Sequence, residues 1–321
     1  MKPEEQALLQ QWVSRIEGNV MVQVTRSDHP ASKDFEAFGK TLSDLGTKVR
    51  LQVEREDGDV PPVLRIHPRI RYRIVPEGQE LPPFLEALGW IAGSSAPALD
   101  PDVLSLIGSI ELPAILRLFV ASACPHCPKA VRQLIALCLN AETIYLDIVD
   151  AFRFASAEDR IQSVPTLILE GGFRWSGAID LQEVVHSAVH RDPMGIGLQS
   201  LENLVSDGQA DRIVDMMKRY RCIPPAFVDL LVHPQWQIRL GAMVAVETLA
   251  ADMPELARML ADPLWSRFSD VEDRIKGDLL YVMGEIGAAG PYRDRILDVL
   301  SRETNPEVIE AAQEALEKIG E

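Results

Sequence analysis

The spacing of apolar and polar positions changes its period several times along the first part of the chain. Helix-like spacing in EEQALLQQWVSRIE and KDFEAFGKTL alternates with strand-like spacing in NVMVQVT and KVRLQVE. Two short strand-like runs, VLRIH and IRYRIV, and a helix-like ELPPFLEALGWIAG complete the series. Apolar residues that recur every three to four positions favour helices, and strict alternation favours strands. The pattern predicts an α/β unit from Pro3 to Gly93.

The same order of elements returns from Asp100 onward. A helix-like DPDVLSLIGSI is followed by the strand AILRLFV, the helix PKAVRQLIALCL, the strand ETIYLDI and a short helix, AEDRIQ. The strands TLILE and FRWSG and the helix DLQEVVHSAVH close the series. Two units of similar order about 100 residues apart indicate an internal duplication.

The pattern becomes helical throughout after His190 and the linker RDPMGIG. Three segments share a register, and their starts at Ile238, Ile275 and Val308 lie 37 and 33 residues apart. A shorter amphipathic helix precedes each of them, as in an α-solenoid, where neighbouring helix pairs bury each other's apolar faces. HPQWQIRLGAMVAVETLA and NPEVIEAAQEALEKIG resemble HEAT repeats. An irregular helical bundle is the alternative.

Composition narrows the class of protein. A chain of 321 residues with 47% hydrophobic residues is long enough for two or three domains. The net charge of -16 argues against nucleic-acid binding, because phosphate contacts need clustered Lys and Arg. The start of the chain is acidic, and no window approaches the ~18 apolar residues of a membrane span. We therefore expect a cytoplasmic protein without membrane partners.

The stretch FVASACPHCPKAV places Cys124 and Cys127 directly after a predicted buried strand. If a helix begins at Pro125, Cys124 lies at the helix N-terminus, where free N–H groups and the helix dipole favour the thiolate. Cys124 is then the attacking sulfur. Cys127, one turn further on, resolves the mixed disulfide that forms.

The two residues between the cysteines affect the redox balance of the pair. Pro125 suits a first helical turn, and His126 brings a positive charge close to the thiolate. Both favour the reduced form and predict a comparatively oxidising couple. A structural zinc site needs four ligands, and Cys138 and Cys222 do not form a second pair. No metal is predicted, and an intermolecular zinc site and an inert core pair are the alternatives.

These features together resemble the thioredoxin fold: a strand, CXXC at a helix start, Val164-Pro165-Thr166, a strand pair and a final helix. Residues 3–190 resemble the tandem N-terminal domain of the alkyl hydroperoxide reductase flavoprotein subunit and the glutaredoxin-like protein disulfide oxidoreductases. The resemblance implies that Pro165 is cis and lies against the sulfurs. It also implies that Val164 and Thr166 belong with Pro165 to the segment that binds the client.

The first unit has no cysteine in its equivalent turn, TRSDHPAS, and Pro61 or Pro62 takes the place of its cis-proline. EGQELPPFLEALGW resembles the family's G-x-E segment, which implies that Glu80 reaches the redox centre and assists proton transfer. Glu80 as an ordinary first-turn helix residue is the alternative. Leu118 stands where typical thioredoxins carry an aspartate.

The predicted fold class is α/β, with two tandem thioredoxin-fold units followed by an all-α domain of HEAT-like repeats. Its domains are residues 1–96 without CXXC, residues 97–192 with CPHC, and residues 198–321 with the helical repeats. No glycine-rich dinucleotide fingerprint follows residue 190. The chain should therefore exchange electrons with another protein.

The predicted function is thiol-disulfide exchange through Cys124 and Cys127, with protein disulfides or dithiols as clients. The redox-active disulfide takes the place of a cofactor, and the helical repeats hold a client or an electron donor or acceptor. Both directions of electron flow are open. A non-catalytic scaffold is the alternative from another class, and direct reduction of peroxide is a weaker one.

Overall fold

The computed structural model describes residues 2–320 in two units, of which one ends at His190 and the other begins at Arg191. Met1 and Glu321, the outer ends of the first and third predicted domains, lie outside the described residues. The first unit combines a sheet with helices. The second is helical and contains no strand within its described residues.

The order of elements in the first unit follows the apolar pattern closely. Its strands are β1 (Val20–Arg26), β2 (Val49–Arg55), β3 (Val63–His67), β4 (Ile70–Arg73), β5 (Ala114–Val120), β6 (Ile144–Asp150), β7 (Thr166–Leu169) and β8 (Phe173–Ser176). Its α-helices are α1 (Pro3–Arg15), α2 (Ser32–Ser43), α3 (Leu81–Ile91), α4 (Pro101–Ile107), α5 (Cys127–Asn140) and α6 (Leu181–Val189). The short helix predicted in AEDRIQ is a single 3₁₀ turn, Ala157–Asp159.

The eight strands form one sheet in the order β2-β1-β3-β4-β6-β5-β7-β8. Its two halves have the same topology. In each half the first two strands are parallel, the third is antiparallel to the first, and the fourth forms a hairpin with the third. A helix crosses between the parallel strands, and another follows the hairpin. The predicted duplication is confirmed.

The two halves meet where β4 pairs with β6 in parallel. Opposite each other in this pairing lie Arg71 and Asp147, whose side chains are only 10% and 8% exposed. Two hydrogen bonds join them, from Arg71 Nε to Asp147 Oδ1 at 2.5 Å and from Nη2 to Oδ2 at 3.1 Å. The backbone pairing and this buried ion pair together hold the two halves in one sheet.

One face of the sheet carries the core. Alternate residues of the strands, such as Val22, Leu118 and Ile148, are fully buried there. Side chains of α3 and α5 belong to the same apolar cluster, which runs through both halves. The alternation seen in the sequence therefore marks the buried face of a single continuous core.

The second unit contains nine α-helices within its described residues. They are α7 (Leu198–Ser206), α8 (Ala210–Tyr220), α9 (Pro225–Leu231), α10 (Trp236–Asp252), α11 (Pro254–Ala257), α12 (Ala261–Arg267), α13 (Asp273–Glu285), α14 (Pro291–Arg302) and α15 (Pro306–Ile319). None of the helices within residues 2–320 is long and apolar enough to cross a membrane.

Four of these helices, α8, α10, α13 and α15, pack in succession, each against the next. The last three are the segments whose shared register predicts repeats. Polar contacts join successive helices, from Lys218 Nζ to Asp252 Oδ2 at 2.7 Å and from the Tyr281 hydroxyl to Glu247 Oε1 at 2.7 Å. This layering is what a helical repeat requires. The assignment to HEAT repeats stays a prediction.

One expectation for the first half is wrong. Within residues 2–320 the cis peptide bond is Val164–Pro165, so the bonds before Pro61 and Pro62 are both trans. The two prolines lead in an extended segment into β3, and the Pro61 carbonyl accepts a hydrogen bond from Arg73 Nη1 at 3.2 Å. Trans is the lower-energy form of such bonds.

We expect Asp147→Ala to lower the free energy of unfolding by about 3 kcal/mol, because Arg71 would be left buried without its partner. The double variant Arg71→Met/Asp147→Leu should recover most of this loss, since it removes both charges. Urea unfolding measures both effects. Asp28→Ala, which breaks the exposed pair with Arg55, is the matched control and should change stability little. An equal loss in the double variant would contradict the expectation.

Candidate functional site

Cys124 and Cys127 lie in the turn between β5 and α5, at the carboxyl end of the strand. The helix begins at Cys127, not at Pro125 as the sequence predicts. The reason is a separate turn before it, closed by the Cys124 N–H, which donates to the Ala121 carbonyl at 2.9 Å. Pro125 is exposed in this turn, and Pro128 is the proline of the first helical turn.

The Cys124 sulfur is held at the start of α5. It accepts a hydrogen bond from the Cys127 N–H at 3.2 Å. That N–H belongs to the first residue of the helix, where backbone donors have no partner within the helix. The sulfur is thereby fixed in place at the helix start. Cys124 is 9% exposed.

Cys127 is placed differently. Its side chain is fully buried, and burial raises the pKa of its thiol above the usual range. A hydrogen bond with Cys124 acts in the same direction, as do the charges of Cys124 and Glu80. Cys127 is therefore protonated at neutral pH and needs a proton acceptor before it can attack. The two sulfurs of the pair have different properties, as their positions in the sequence predict.

The segment Val164–Thr166 lies beside the cysteines, as its resemblance to the thioredoxin pattern implies. The bond between Val164 and Pro165 is cis, and the Val164 carbonyl oxygen lies 3.8 Å from the Cys124 sulfur. Thr166 begins β7, and its hydroxyl donates to the Ser163 carbonyl at 2.8 Å. The structure thus brings this segment and the CXXC turn together.

A groove lies between Pro125 and Pro165. Its volume is about 530 Å³. Pro125, His126 and Lys129 line one wall, and Val164, Pro165 and residues 177–179 line the other. The side chain of His126 is exposed and faces this groove rather than the protein interior.

A short segment of the first half reaches the site from the other side. Gly78, Gln79 and Glu80 form a 3₁₀ turn before α3. The Gln79 N–H donates to the Ser122 carbonyl at 2.9 Å, which fixes the segment against the turn that holds Cys124. Gly78 has a φ of +60°, and a Cβ there would lie 2.7 Å from the Ser122 carbonyl oxygen. Glycine is needed at this contact.

This contact places Glu80 inside the protein, next to the redox pair. Its side chain is fully buried, and neither carboxylate oxygen has a hydrogen-bond partner in the described part of the chain. Burial raises its pKa from 4.5 to about 7, against the opposing charge of Arg132. The charge of Glu80 in turn raises the pKa of Cys127. Glu80 is the N-cap of α3, and its part in proton transfer stays a prediction.

Sequence reasoning missed two contributors to this arrangement. Ser122 acts through its backbone carbonyl, which leaves no signal in the sequence. Tyr72 on β4 is fully buried near Glu80, and its hydroxyl lacks a hydrogen-bond partner among residues 2–320. A tyrosine on the apolar side of the strand IRYRIV was the available signal.

The other two cysteines lie away from this site. Cys138 is fully buried in α5, and burial raises the pKa of its thiol to about 12. Its sulfur contacts the Ile144 carbonyl at 3.0 Å. Cys222, in the second unit, is only half-buried. Within residues 2–320, no group of three His, Cys, Asp or Glu side chains is arranged to hold a metal ion.

A family model described as the thioredoxin domain matches residues 116–188. This range begins in β5 and ends in α6, so it contains Cys124, Cys127 and the segment Val164–Thr166. It coincides with the second half of the sheet. The match therefore falls on the half of the first unit that carries the dithiol.

Two solved structures extend the likeness over most of the first unit. A protein disulfide oxidoreductase from Aeropyrum pernix aligns over 59% of this chain and 92% of its own, with a TM-score of 0.51 and 16% identity. A variant of an alkylhydroperoxide reductase from Enterococcus faecalis aligns over 59% of this chain and 99% of the other, with a TM-score of 0.50 and 18% identity. Residues 3–190 form a tandem thioredoxin-fold module.

Two curated relatives named NADH dehydrogenase also match. The protein from Ferdinandcohnia aciditolerans is 23% identical over 192 residues, which are 58% of this chain and 36% of the relative. The protein from Bacillus subtilis is 23% identical over 186 residues, 56% of this chain and 36% of the relative. The chain thus spans about a third of the length of the curated relatives it matches.

We expect Gly78→Ala to lower the free energy of unfolding by about 1 to 3 kcal/mol, the usual cost of a side chain forced into this backbone region. The new methyl group would also push the segment of Glu80 away from Ser122. Gly108→Ala is the matched control, because Gly108 has a φ of -63° and no atom within 4 Å of the added Cβ. Urea unfolding of both variants is the measurement. Equal stability of the two would contradict the role of Gly78.

Proposed function

We propose that this protein is a dithiol-disulfide oxidoreductase that exchanges two electrons with protein clients through Cys124 and Cys127. One observation carries the proposal. The Cys124 sulfur accepts a hydrogen bond from the Cys127 N–H at the start of α5. It also lies 3.8 Å from the carbonyl oxygen of Val164, the residue before the cis-proline. The sulfur is thereby placed next to backbone groups that a client chain can pair with. The fold and the dithiol are those of thioredoxin-fold oxidoreductases, which supports the proposal.

The first step joins protein and client covalently. The Cys124 thiolate attacks one sulfur of the client disulfide, a new S–S bond forms, and the other client sulfur leaves as a thiolate that takes a proton from water. In the second step the Cys127 sulfur attacks Cys124, and the second client sulfur leaves. The client gains two electrons, and the Cys124–Cys127 disulfide holds the oxidised state of the protein.

Glu80 accepts the proton that Cys127 must lose in the second step. Cys127 is protonated at neutral pH because burial raises its pKa, so its attack requires a base. Glu80 has a pKa of about 7 and is buried beside it. A carboxyl with that pKa accepts and returns a proton readily at neutral pH. In the reverse reaction the same group returns the proton to Cys127.

The client lies along the groove beside Pro165. Backbone groups at Val164 and Thr166 align its chain, while Pro125 and His126 form the opposite wall next to the attacking sulfur. His126, which the sequence predicts to favour the reduced form of the pair, lies in this wall. The redox potential of the pair decides the direction: a value near that of the glutathione pool indicates a reductase or isomerase, and a much higher one an oxidase. We place this exchange in the cytoplasm.

The second unit supplies the surface for a protein electron donor or acceptor. Trp236, Leu240 and Val244 are 51%, 44% and 48% exposed, and their spacing of four puts them on one side of α10. The same exposed stripe favours the second candidate function, a scaffold whose thioredoxin-fold module only docks. Trapping of clients on Cys124 separates the two functions, because a scaffold would form no mixed disulfide.

We expect Cys124→Ser to abolish reduction of insulin disulfides, because no sulfur remains to attack. Cys127→Ser should accumulate mixed disulfides with clients, because the resolving sulfur is lost while Cys124 still reacts. Non-reducing electrophoresis and mass spectrometry measure the trapped species. Cys138→Ser is the control, since Cys138 is buried away from the site. Activity of Cys124→Ser equal to that of the parent would refute the proposal.

We expect Glu80→Gln to slow the resolving step by about 100-fold, the usual contribution of a general base. In the parent this step should accelerate as the pH rises through about 7, because Glu80 must be ionised to accept a proton. In the variant the acceleration near pH 7 should disappear. Rapid-mixing kinetics between pH 5.5 and 9 measure both. An unchanged pH profile in Glu80→Gln would contradict the role of Glu80.

Stability provides a control that does not depend on catalysis. Because burial raises the pKa of Glu80 to about 7, the stability linked to its protonated form is lost as the pH rises through that value. At pH 8.5 the buried charge costs about 3 kcal/mol at most. Glu80→Gln should therefore be more stable than the parent at pH 8.5 and similar to it at pH 4, as measured by urea unfolding. A destabilised variant at both pH values would show that the carboxyl has a structural role instead.

A further inference from the structure

Tyr72 occupies the strand at which the two halves of the sheet join. Its backbone lies opposite Leu64 on β3 and Ile148 on β6. Its side chain is fully buried, and its hydroxyl has no hydrogen-bond partner in the part of the chain that the structure describes. A phenol hydroxyl is both a donor and an acceptor, and about 90% or more of buried polar groups in proteins are paired. This exception needs a physical explanation.

The ring of Tyr72 packs against the start of α3. It stands at 88° to the ring of Phe84, with the two centroids 5.2 Å apart. Phe84 follows Glu80 by four residues, and Glu80 is the N-cap of α3. Residues four apart lie on the same side of a helix. Tyr72 therefore lies beside the helix turn from which the Glu80 side chain emerges.

Glu80 is a second buried polar group without a hydrogen-bond partner, and it offers acceptors where Tyr72 offers a donor. It is fully buried, and both of its carboxylate oxygens are without hydrogen-bond donors among residues 2–320. The charge of Glu80 acts on the Tyr72 hydroxyl and, together with burial, raises the pKa of this phenol. In this structure the Tyr72 hydroxyl and the Glu80 carboxylate are not hydrogen-bonded to each other. The core thus holds a hydroxyl and a carboxylate that influence each other electrostatically and that both lack a hydrogen-bond partner among residues 2–320.

Glu5 of α1 accepts a hydrogen bond from the Gly78 N–H at 2.8 Å, in the same turn as Glu80. Two further charged or titratable groups that act on Glu80 or respond to it come from α5. They are Cys127, whose pKa is raised by the charge of Glu80, and Arg132, whose charge lowers the pKa of Glu80. Arg132 donates two hydrogen bonds to the exposed carboxylate of Glu86, at 2.5 Å and 2.9 Å. Cys127 is the group that exchanges the proton. Tyr72 is then the neutral donor available to Glu80 throughout the reaction.

We propose that Tyr72 is a positioning residue, whose hydroxyl donates a hydrogen bond to ionised Glu80 and holds that carboxylate ready to take the Cys127 proton. This inference rests on the proposed function of Glu80. When Cys127 attacks, its proton moves to Glu80, the S–S bond to Cys124 forms, and the client sulfur leaves with the electron pair. Glu80 then releases the proton to solvent, and the carboxylate returns to the Tyr72 hydroxyl.

The proposed hydrogen bond changes the pKa of Glu80 in a definite direction. A hydrogen bond to the ionised form of a carboxyl favours that form and lowers its pKa. Tyr72→Phe keeps the ring packed against Phe84 but removes the donor, so the pKa of Glu80 should rise further. We expect the pH midpoint of the resolving step to move upward by about one pH unit. At pH 7 the step should slow several-fold and recover at higher pH.

The resolving step can be followed directly with a chromogenic disulfide. Reduced full-length protein mixed with one equivalent of 5,5′-dithiobis(2-nitrobenzoate) releases one thionitrobenzoate when Cys124 attacks and a second when Cys127 resolves the adduct. The second phase is intramolecular and does not depend on reagent concentration. It is recorded from pH 5.5 to 9 in a Cys222→Ser background, which removes the half-buried thiol. Tyr220→Phe, which removes an exposed hydroxyl in the second unit, is the matched control.

The expected result is an upward shift of the pH midpoint of the second phase in Tyr72→Phe, with the first phase and the melting temperature at pH 5 unchanged. In the Glu80→Gln background, Tyr72→Phe should cause no further change. Infrared difference spectra of the protonated carboxyl give the Glu80 midpoint independently of turnover, and it should move in the same direction. A Tyr72→Phe profile that superimposes on the parent, or a shift that persists without Glu80, overturns the inference. A parent protein without the second phase refutes the proposed function itself.

Discussion

The pairing of β4 with β6 is the constraint on which the site depends. It makes β4, β5 and β6 parallel neighbours, so their carboxyl ends meet at one edge of the sheet. The CPHC turn follows β5 there, and the segment that ends in Glu80 follows β4. One half therefore supplies the sulfurs and the other supplies the buried carboxyl. Neither half holds the complete set of groups.

Burial acts on both partners of the proposed proton transfer at once. It raises the pKa of Glu80 to about 7 and that of Cys127 above its usual range, which creates both the need for a base and a base of suitable strength. The same burial makes the charged carboxylate costly for the folded state. The site therefore trades stability for reactivity, as functional sites commonly do.

Much of this architecture could be predicted from sequence because apolar spacing reports burial directly, and CXXC after a buried strand is a local signal. The errors arose where a local signal was ambiguous: the Ala121 turn delays the start of α5 to Cys127, and proline alone does not specify a cis bond. The contact of Gln79 with Ser122 joins backbone groups far apart in the chain. A backbone hydrogen bond of this kind depends on how the strands are arranged in the sheet, and the identities of the two residues do not reveal it.

The fused sheet also has consequences for solubility. Two separate four-stranded sheets would present four edge strands, whereas the joined sheet ends only in β2 and β8. Exposed polar side chains, such as Arg50, Gln52 and Glu54, cover β2. By contrast, most residues of β6 are buried, and without the first half this strand would become an edge open to pairing with other chains. The half without cysteines thus also protects its partner from aggregation.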